Sequence, residues 1–451
     1  MNDYFELIKE LGPYNRCHSG PEMKLAYEKL TAHYPNSTLI QTNDGEIFGW
    51  KKPPYWSCHK ATLIDEYGEI IADKNSNNLH VFTYSQPVKG TFTLQDLTKH
   101  LLFDRNRPDS LVFHFRNQYR HWNPEWGFSI TYNNFKKLKD CLYFVTIETS
   151  FDLDQPLIQS EYLHKGETDK TYLFFGHFDH PSMVNDGLAG VIAAYETIKR
   201  LNNRKTKFSY CAFASVEIYG SISYLYNKCP PIAESLFLSF VGIKSNLSYQ
   251  TSFEGVSLID KITYHISAFY NKYSFGKFYK HREIVGNDEN VFDSVGYEIP
   301  CSTLLRNPFP EYHTDKDSID ITYKKQIEEI INFCLDCIFI IENNCTLMGN
   351  FKGIPCLAHP DVNLYLDPSS ISGLQKSCNE MNFPITELPK STVDYLNKNN
   401  HLLNQFMNNI IRLCNSNHTL LEICSLSQIP FDFGLFYVVW LEKKNIITKH
   451  G

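Results

Sequence analysis

Histidine and aspartate crowd one short stretch of the chain. His177, Asp179, His180 and Asp186 follow an apolar, aromatic run at 172–175 and precede Gly187 and Gly190. The run reads as a buried strand, and the glycines open a helical pattern over 191–201. Donors at the C-terminal end of such a strand lie where open α/β sheets place their ligands. Mixed imidazole and carboxylate donors suit zinc. Further along, Glu217 follows an expected strand at 208–215. Asp288 and Glu289 stand in a helical pattern at 288–295, and His313 lies in Glu311-Tyr-His-Thr-Asp-Lys-Asp317. A zinc hydrolase needs a few such ligands, an open position for water and a carboxylate to take the water's proton. Plainer readings stand beside this one: Glu217 as a helix cap, Glu289 as a solvated helix-start carboxylate.

The elements that would position these residues follow from length and pattern. At 451 residues the chain exceeds one ordinary domain. Its 43% hydrophobic and 14% aromatic content supplies a sizeable core. From about 158 to 343, strand and helix patterns alternate, ending in a helix at 324–342. That alternation predicts an α/β fold: a mixed, largely parallel sheet covered by helices. Residues 1–43 and 130–345 are expected to form this domain. Between them, 44–129 reads as an inserted, mainly β domain, with strands at 62–65, 69–72 and 79–84 and a short helix at 93–102. Its Trp50, Trp56, Tyr119, Trp122 and Trp126 either line a substrate entrance or form a small core. Ser19 is the expected cap of an early helix reaching about 33, with Glu22 three residues on. A loop-rich join containing Gly349, Gly353, Pro355, Pro360 and Pro368 then leads to one long or broken helix at 393–414, helices at 420–424 and 431–443, and a β-type end. Residues 346–451 thus read as a linker plus a winged-helix-like domain.

The net charge of -7 argues against a nucleic-acid binder. In the C-terminal part, Arg412, Lys443, Lys444 and Lys449 are nearly balanced by Glu422, Asp432 and Glu442, so a structural role or self-association is expected there rather than DNA binding. No apolar run is long enough for a membrane span, and the N-terminal residues read as neither signal nor transit peptide. The 13 cysteines lack a secreted-scaffold pattern. Reduced thiols in a cytoplasmic protein are therefore expected. Cys334 and Cys337 fall on the apolar stripe of a helical pattern and read as core packing.

The ordered set His177-x-Asp179, Asn185-Asp186-Gly187, Glu217 before Gly220-Ser221, Asp288 near Phe292, and Tyr312-His313-Thr314 with Asp317 resembles the zinc aminopeptidase superfamily. That superfamily includes leucyl-type aminopeptidases and glutaminyl cyclases. The match is similar to a bacterial branch with an inserted β domain and a C-terminal winged helix. The resemblance implies one or two zinc ions. His177 and Asp288 would hold one metal, Asp186 would bridge, and Glu217 and His313 would complete a second site. Asp179 would orient His177, and Asp317 would stand behind His313. Where the family has adjacent glutamates, this chain has Val216 before Glu217, so Glu217 or Glu289 is left as general base. His180 is an extra imidazole that replaces His177 or meets substrate. The implied function is a zinc-dependent hydrolase cleaving an amide in a small peptide or N-acyl metabolite. The alternatives are a single-zinc cyclase-like enzyme on Asp186, Glu217 and His313, or an inactive metal-containing binding protein.

Overall fold

The central sheet has eight strands in the order Thr38–Thr42, Leu157–His164, Ser209–Ser215, Thr171–His177, Ile232–Leu238, Cys301–Asn307, Asn246–Gln250 and Phe275–Tyr279. Its middle is parallel: Thr171–His177 pairs in parallel with both Ser209–Ser215 and Ile232–Leu238, which in turn pairs in parallel with Cys301–Asn307. Antiparallel pairs flank it on both sides. This is the mixed, largely parallel α/β sheet expected from the alternating patterns. Every residue of Thr171–His177 and Ser209–Ser215 is buried. Strands covered on both faces read as continuous apolar runs, which is why these two were legible.

The computed structural model describes residues 3–228, 230–366 and 388–450. They form two compact units, Met1–Gly255 with Gly276–Cys334, and Val256–Phe275 with Leu335–Gly451. The expected Pro368 lies outside the described residues.

In the first unit, the Leu188–Lys199 helix is buried from Leu188 through Ile198 and packs on the sheet. Such an all-round apolar helix belongs in a core. Two glycines let it seat closely. A Cβ at Gly190 would lie 2.0 Å from the Leu238 carbonyl oxygen. Gly187 has φ +102°, and a Cβ there would lie 2.0 Å from the His177 carbonyl oxygen. Only glycine meets both demands at that turn.

The loop between strand and helix is clamped from behind by Arg16, which is fully buried. Its Nε donates to the Phe178 carbonyl (2.9 Å), Nη2 to that of Met183, and Nη1 to those of Leu11 and Gly12. The rigid guanidinium fork thereby ties the loop to the N-terminal Tyr4–Leu11 helix.

A second sheet in this unit runs Ile70–Asp73, Tyr55–Asp65, Leu142–Asp152 and Val88–Thr93, all antiparallel. Trp56, Leu63, Phe128, Tyr143, Val145 and Ile147 fill its core. The strand Leu142–Asp152 therefore belongs with the segment that starts near residue 44. Residues 79–84 are not the expected strand. The Asn77 side chain accepts from the Leu79 N–H at 2.9 Å and turns the backbone into a 3₁₀ helix at Asn78–His80. Such local side-chain bonding competes with an extended ladder. The expected helix at 93–102 is likewise short: Leu94–Leu97, then a 3₁₀ turn at Thr98–His100 and a strand at Leu101–Leu102. The early helix is Pro21–His33, capped by the Gly20 backbone rather than Ser19. Glu22 reaches back to the Asn15 N–H instead, at 2.7 Å.

The second unit contains the helices Leu258–Phe269, Lys390–Lys398, Leu402–Leu413, Leu420–Leu426 and Phe431–Lys443. Its sheet runs Asn415–Thr419, Thr346–Gly349 and Ile447–His450. The middle strand falls in the expected loop-rich join; it is four residues long with one buried, too little for a period to register. Capping boxes at Ser257/Asp260 and Thr419/Glu422 start two of the helices. Cys334 and Cys337 are fully buried. Among the described residues no single helix is long and apolar enough to cross a membrane.

Gly187→Ala should lower stability by about 2 kcal/mol or more, read from urea unfolding, because the new methyl meets both strain and a backbone oxygen. A loss under about 0.5 kcal/mol would contradict that requirement. A second expectation concerns His265, buried in the Leu258–Phe269 helix with Nδ1 2.8 Å from Ser425 Oγ. Burial pushes its pKa down to about 3. The unfolded chain takes up a proton below about pH 6.5 that the folded chain refuses, so this contribution is full above that pH and lost on acidification toward 3. Hydrogen exchange of the Leu258–Phe269 amides should show protection falling by up to about tenfold per pH unit in that window. His265→Gln should flatten the slope, and an unchanged slope would refute the assignment.

Candidate metal centre

Asp186 is the hub toward which the imidazoles converge. Its Oδ1 lies 3.1 Å from His177 Nε2. Its Oδ2 lies 3.3 Å from His313 Nε2 and 3.9 Å from His180 Nε2. His177, His180 and Asp186 offer donor atoms all within 4.8 Å of one another, and each residue is buried. Behind Asp186, the Asp317 carboxylate accepts from the backbone N–H of Asp186 (2.8 Å), that of Asn185 (2.8 Å) and the Asn185 amide (3.0 Å). Asp317 thus grips the Asn185-Asp186 turn rather than an imidazole.

Asp288 stands on the far side of His177, its Oδ2 3.7 Å from His177 Nδ1. Its Oδ1 accepts from Ser221 Oγ and from the Ile218 N–H at 3.1 Å. Ile218 holds φ +61° to aim that N–H. His180 and His313 also sit at positive φ, at 92° and 55°. Left-handed backbone at bulky residues is costly and clusters where a site over-determines it.

Glu217 follows the buried strand Ser209–Ser215, and its backbone N–H donates to Asp179 Oδ1 at 3.0 Å. Its Oε2 accepts from the Tyr119 hydroxyl and lies 3.9 Å from His180 Nε2. With the Asn287 amide turned to satisfy both its ends, that amide donates to Glu217 Oε1 at 2.9 Å. Asp179 does not meet His177. Its Oδ2 lies 3.1 Å from His18 Nε2, without the angle of a hydrogen bond. Glu289 accepts the Asn287 N–H at 2.9 Å through Oε1.

Burial dominates the electrostatics. It pushes the carboxyls of Glu217 up to about 8, Glu289 to about 7 and Asp317 to about 6. For Asp186 burial acts in the same sense, but His180, His177 and His313 outweigh it and hold the carboxylate well below its usual range. Burial likewise opposes the proton on His177, and the flanking Asp186 and Asp288 carboxylates reverse that. Burial drives His180 down to about 4, leaving it neutral with Nδ1 3.0 Å from the Asp179 carbonyl. A neutral imidazole is the form that binds a metal.

The donor set fits zinc. Tetrahedral zinc with bonds of about 2.0–2.1 Å spaces its ligand atoms about 3.3 Å apart. The contacts of Asp186 Oδ2 with His313 and His180, at 3.3 and 3.9 Å, lie at and just above that spacing. Asp186 Oδ2, Asp288 Oδ2 and Glu289 Oε2 are buried without a hydrogen bond. Orphaned charged groups of this kind call for a cation.

Long-range packing adds residues that no local pattern marks. His18 is buried beside Asp179. Segment 111–115 lies against His313: the Phe113 N–H donates to the His313 carbonyl (2.9 Å), and the Phe113 ring packs edge-on to both His180 and His313. Tyr312 stacks on His313 with centroids 3.8 Å apart. Tyr312 and Asn287 also line a 350 Å³ cavity with Phe240, Phe309, Ile284 and Val285.

Known proteins share this architecture. A family described as Domain of unknown function (DUF4910) matches residues 5–344. A Clostridium acetobutylicum protein, provisionally described as a polysaccharide biosynthesis protein with an aminopeptidase-like domain, is 31% identical over 353 residues, 77% of this chain and 79% of that protein. The crystal structure of a provisionally assigned peptidase from the same organism aligns over 99% of this chain and 96% of that one, with TM-score 0.79 and 26% identity. A zinc aminopeptidase from Bacillus subtilis aligns over 75% of this chain and 94% of its own, with TM-score 0.55 and 12% identity, a likeness of fold. The chain belongs to the DUF4910 family, and its fold is that of the zinc aminopeptidases.

Proposed function

We propose that the chain is a zinc-dependent hydrolase that cleaves an amide bond in a small peptide or an N-acyl metabolite. The observation that carries this reading is the convergence of three imidazoles on one buried aspartate, Asp186, beside a buried glutamate. His180, Asp186 and His313 would hold the ion. Such an ion supplies Lewis acidity when bound, acidifying water and polarising a carbonyl. His177, between Asp186 and Asp288, would orient the Asp186 carboxylate, as outer partners of metal ligands do. Glu217 would accept the proton of the attacking water at Oε2 and return it to the leaving nitrogen. Glu289 would support the loop through Asn287. The cavity lined by Phe240, Phe309 and Tyr312 would take an apolar side chain of the substrate.

The names of the relatives agree with this reading: peptidase for one, an aminopeptidase-like domain in polysaccharide biosynthesis for the other. An amide of an N-acylated sugar or amino acid would suit both. We further propose that the segment from about residue 44, together with the Leu142–Asp152 strand, forms an insert over the site and that the C-terminal unit is winged-helix-like, structural or self-associating rather than DNA-binding.

One observation favours a second ion on His177 and Asp288: Nδ1 of the first and Oδ2 of the second are buried, 3.7 Å apart, without a hydrogen bond. Elemental analysis after zinc loading separates the readings. About one zinc per chain, lost in Asp186→Asn and His313→Ala, is expected. About two, falling to one in Asp288→Asn, would establish the bridged pair. No zinc in any preparation would refute the proposal. Glu217→Gln should keep its zinc and lose at least about a hundredfold in hydrolysis of leucine p-nitroanilide or N-acetyl amino acids. Bound zinc with no turnover across peptide, N-acyl and cyclisation substrates would identify a binding protein.

A further inference from the structure

Glu217 follows Val216, and its carboxylate is held by residues from two other segments of the chain. Its oxygens face two neutral donors. Oε1 faces the Asn287 amide, from the loop that carries Asp288. Oε2 receives the Tyr119 hydroxyl, from the Arg116–Tyr119 helical turn, far away in sequence. Burial holds the Tyr119 phenol well above its ordinary pKa, so the hydroxyl keeps its proton and donates.

The turn that presents Tyr119 is anchored on both sides. Upstream, the Leu111 N–H donates to Asp315 Oδ1 (2.8 Å), Phe113 pairs with the His313 carbonyl (2.9 Å), and Val112 bridges Thr314. Within the turn, buried Asn117 donates to the Thr83 and Glu125 carbonyls at 3.0 and 2.7 Å and accepts from the Glu125 N–H at 2.9 Å. The Tyr119 ring meets the buried His18 edge-on at 5.5 Å. A hydroxyl fixed in this way loses little entropy when it binds a carboxylate, and that is how a supporting residue preorganises a reacting group.

We propose that Tyr119 is a positioning residue of the metal centre: its hydroxyl fixes Glu217 Oε2 toward His180 and Asp186. The assignment rests on the metal-centre reading above. It makes the 111–119 segment part of the reacting machinery as well as a wall of the site.

The test uses acetohydroxamic acid, a small zinc-directed probe whose bound form is hydrogen-bonded by a correctly placed carboxyl. Binding to the zinc-loaded full chain is measured by calorimetry across pH 5–9, with zinc content and thermal midpoint recorded for each variant. Tyr119→Phe removes only the hydroxyl. It should keep zinc and the midpoint, weaken binding about tenfold, and displace the pH profile of binding. Glu217→Gln should weaken binding at least as much, and the double variant no further, because both act through one carboxylate. Wild-type affinity and profile in Tyr119→Phe would overturn the proposal, and so would additive losses in the double variant. Failure of the wild type to take up zinc would instead sink the metal-centre reading. Should the Phe variant not fold, 3-fluorotyrosine at position 119 keeps ring and hydroxyl while acidifying the phenol. An unshifted pH profile in that protein would overturn the proposal.

Discussion

Burying negative charge is the constraint on which the first unit depends. Asp179, Asp186, Asp288, Glu289 and Asp317 are all at most 1% exposed, and Glu217 is 8% exposed. A carboxylate taken out of water costs several kcal/mol unless it is paired and hydrogen-bonded. The buried Arg16 guanidinium spends its donors on backbone carbonyls. Compensation is left to His18, His177, His180 and His313, to backbone N–H groups and to the proposed ion. Much of the local architecture follows from that need: the strained φ of Ile218, the Asn185-Asp186 turn gripped by Asp317, and the clamp of Arg16 on the loop.

The parts of this arrangement that the sequence makes legible are those written locally. The buried strand ahead of His177 and the glycines after Asp186 lie on one continuous stretch, and their roles follow from period and turn chemistry. The order of Glu217, Asp288 and His313 along the chain marks the rest of the donor set. Other parts depend on contacts between distant residues. His18, Asn287 and the hydroxyl of Tyr119 reach the site only through the fold, and each alone looks ordinary. Arg16 carries no signal beyond being an arginine. Asp179 and Asp317 were expected behind His177 and His313; they instead meet His18 and the Asn185-Asp186 backbone, because second partners are chosen by packing rather than by spacing. At the level of elements, Asn77 turns residues 78–80 away from strand structure, and Thr346–Gly349 is a strand too short to show its period.

A fold shared at 12% identity with a zinc aminopeptidase does not carry that enzyme's chemistry with it. The chemistry proposed here rests on the site itself. The distinctive features are one glutamate after the Ser209–Ser215 strand, a histidine within 3.9 Å of both Asp186 and Glu217, and a tyrosine from a separate segment.

The most direct test of the proposed centre is a crystal of the zinc-loaded protein with anomalous differences collected on both sides of the zinc edge. A zinc peak is expected at about 2.0–2.2 Å from an Asp186 carboxylate oxygen, within bonding reach of His180 and His313. A difference map with no peak at Asp186, or with zinc bound only elsewhere on the chain, would contradict it.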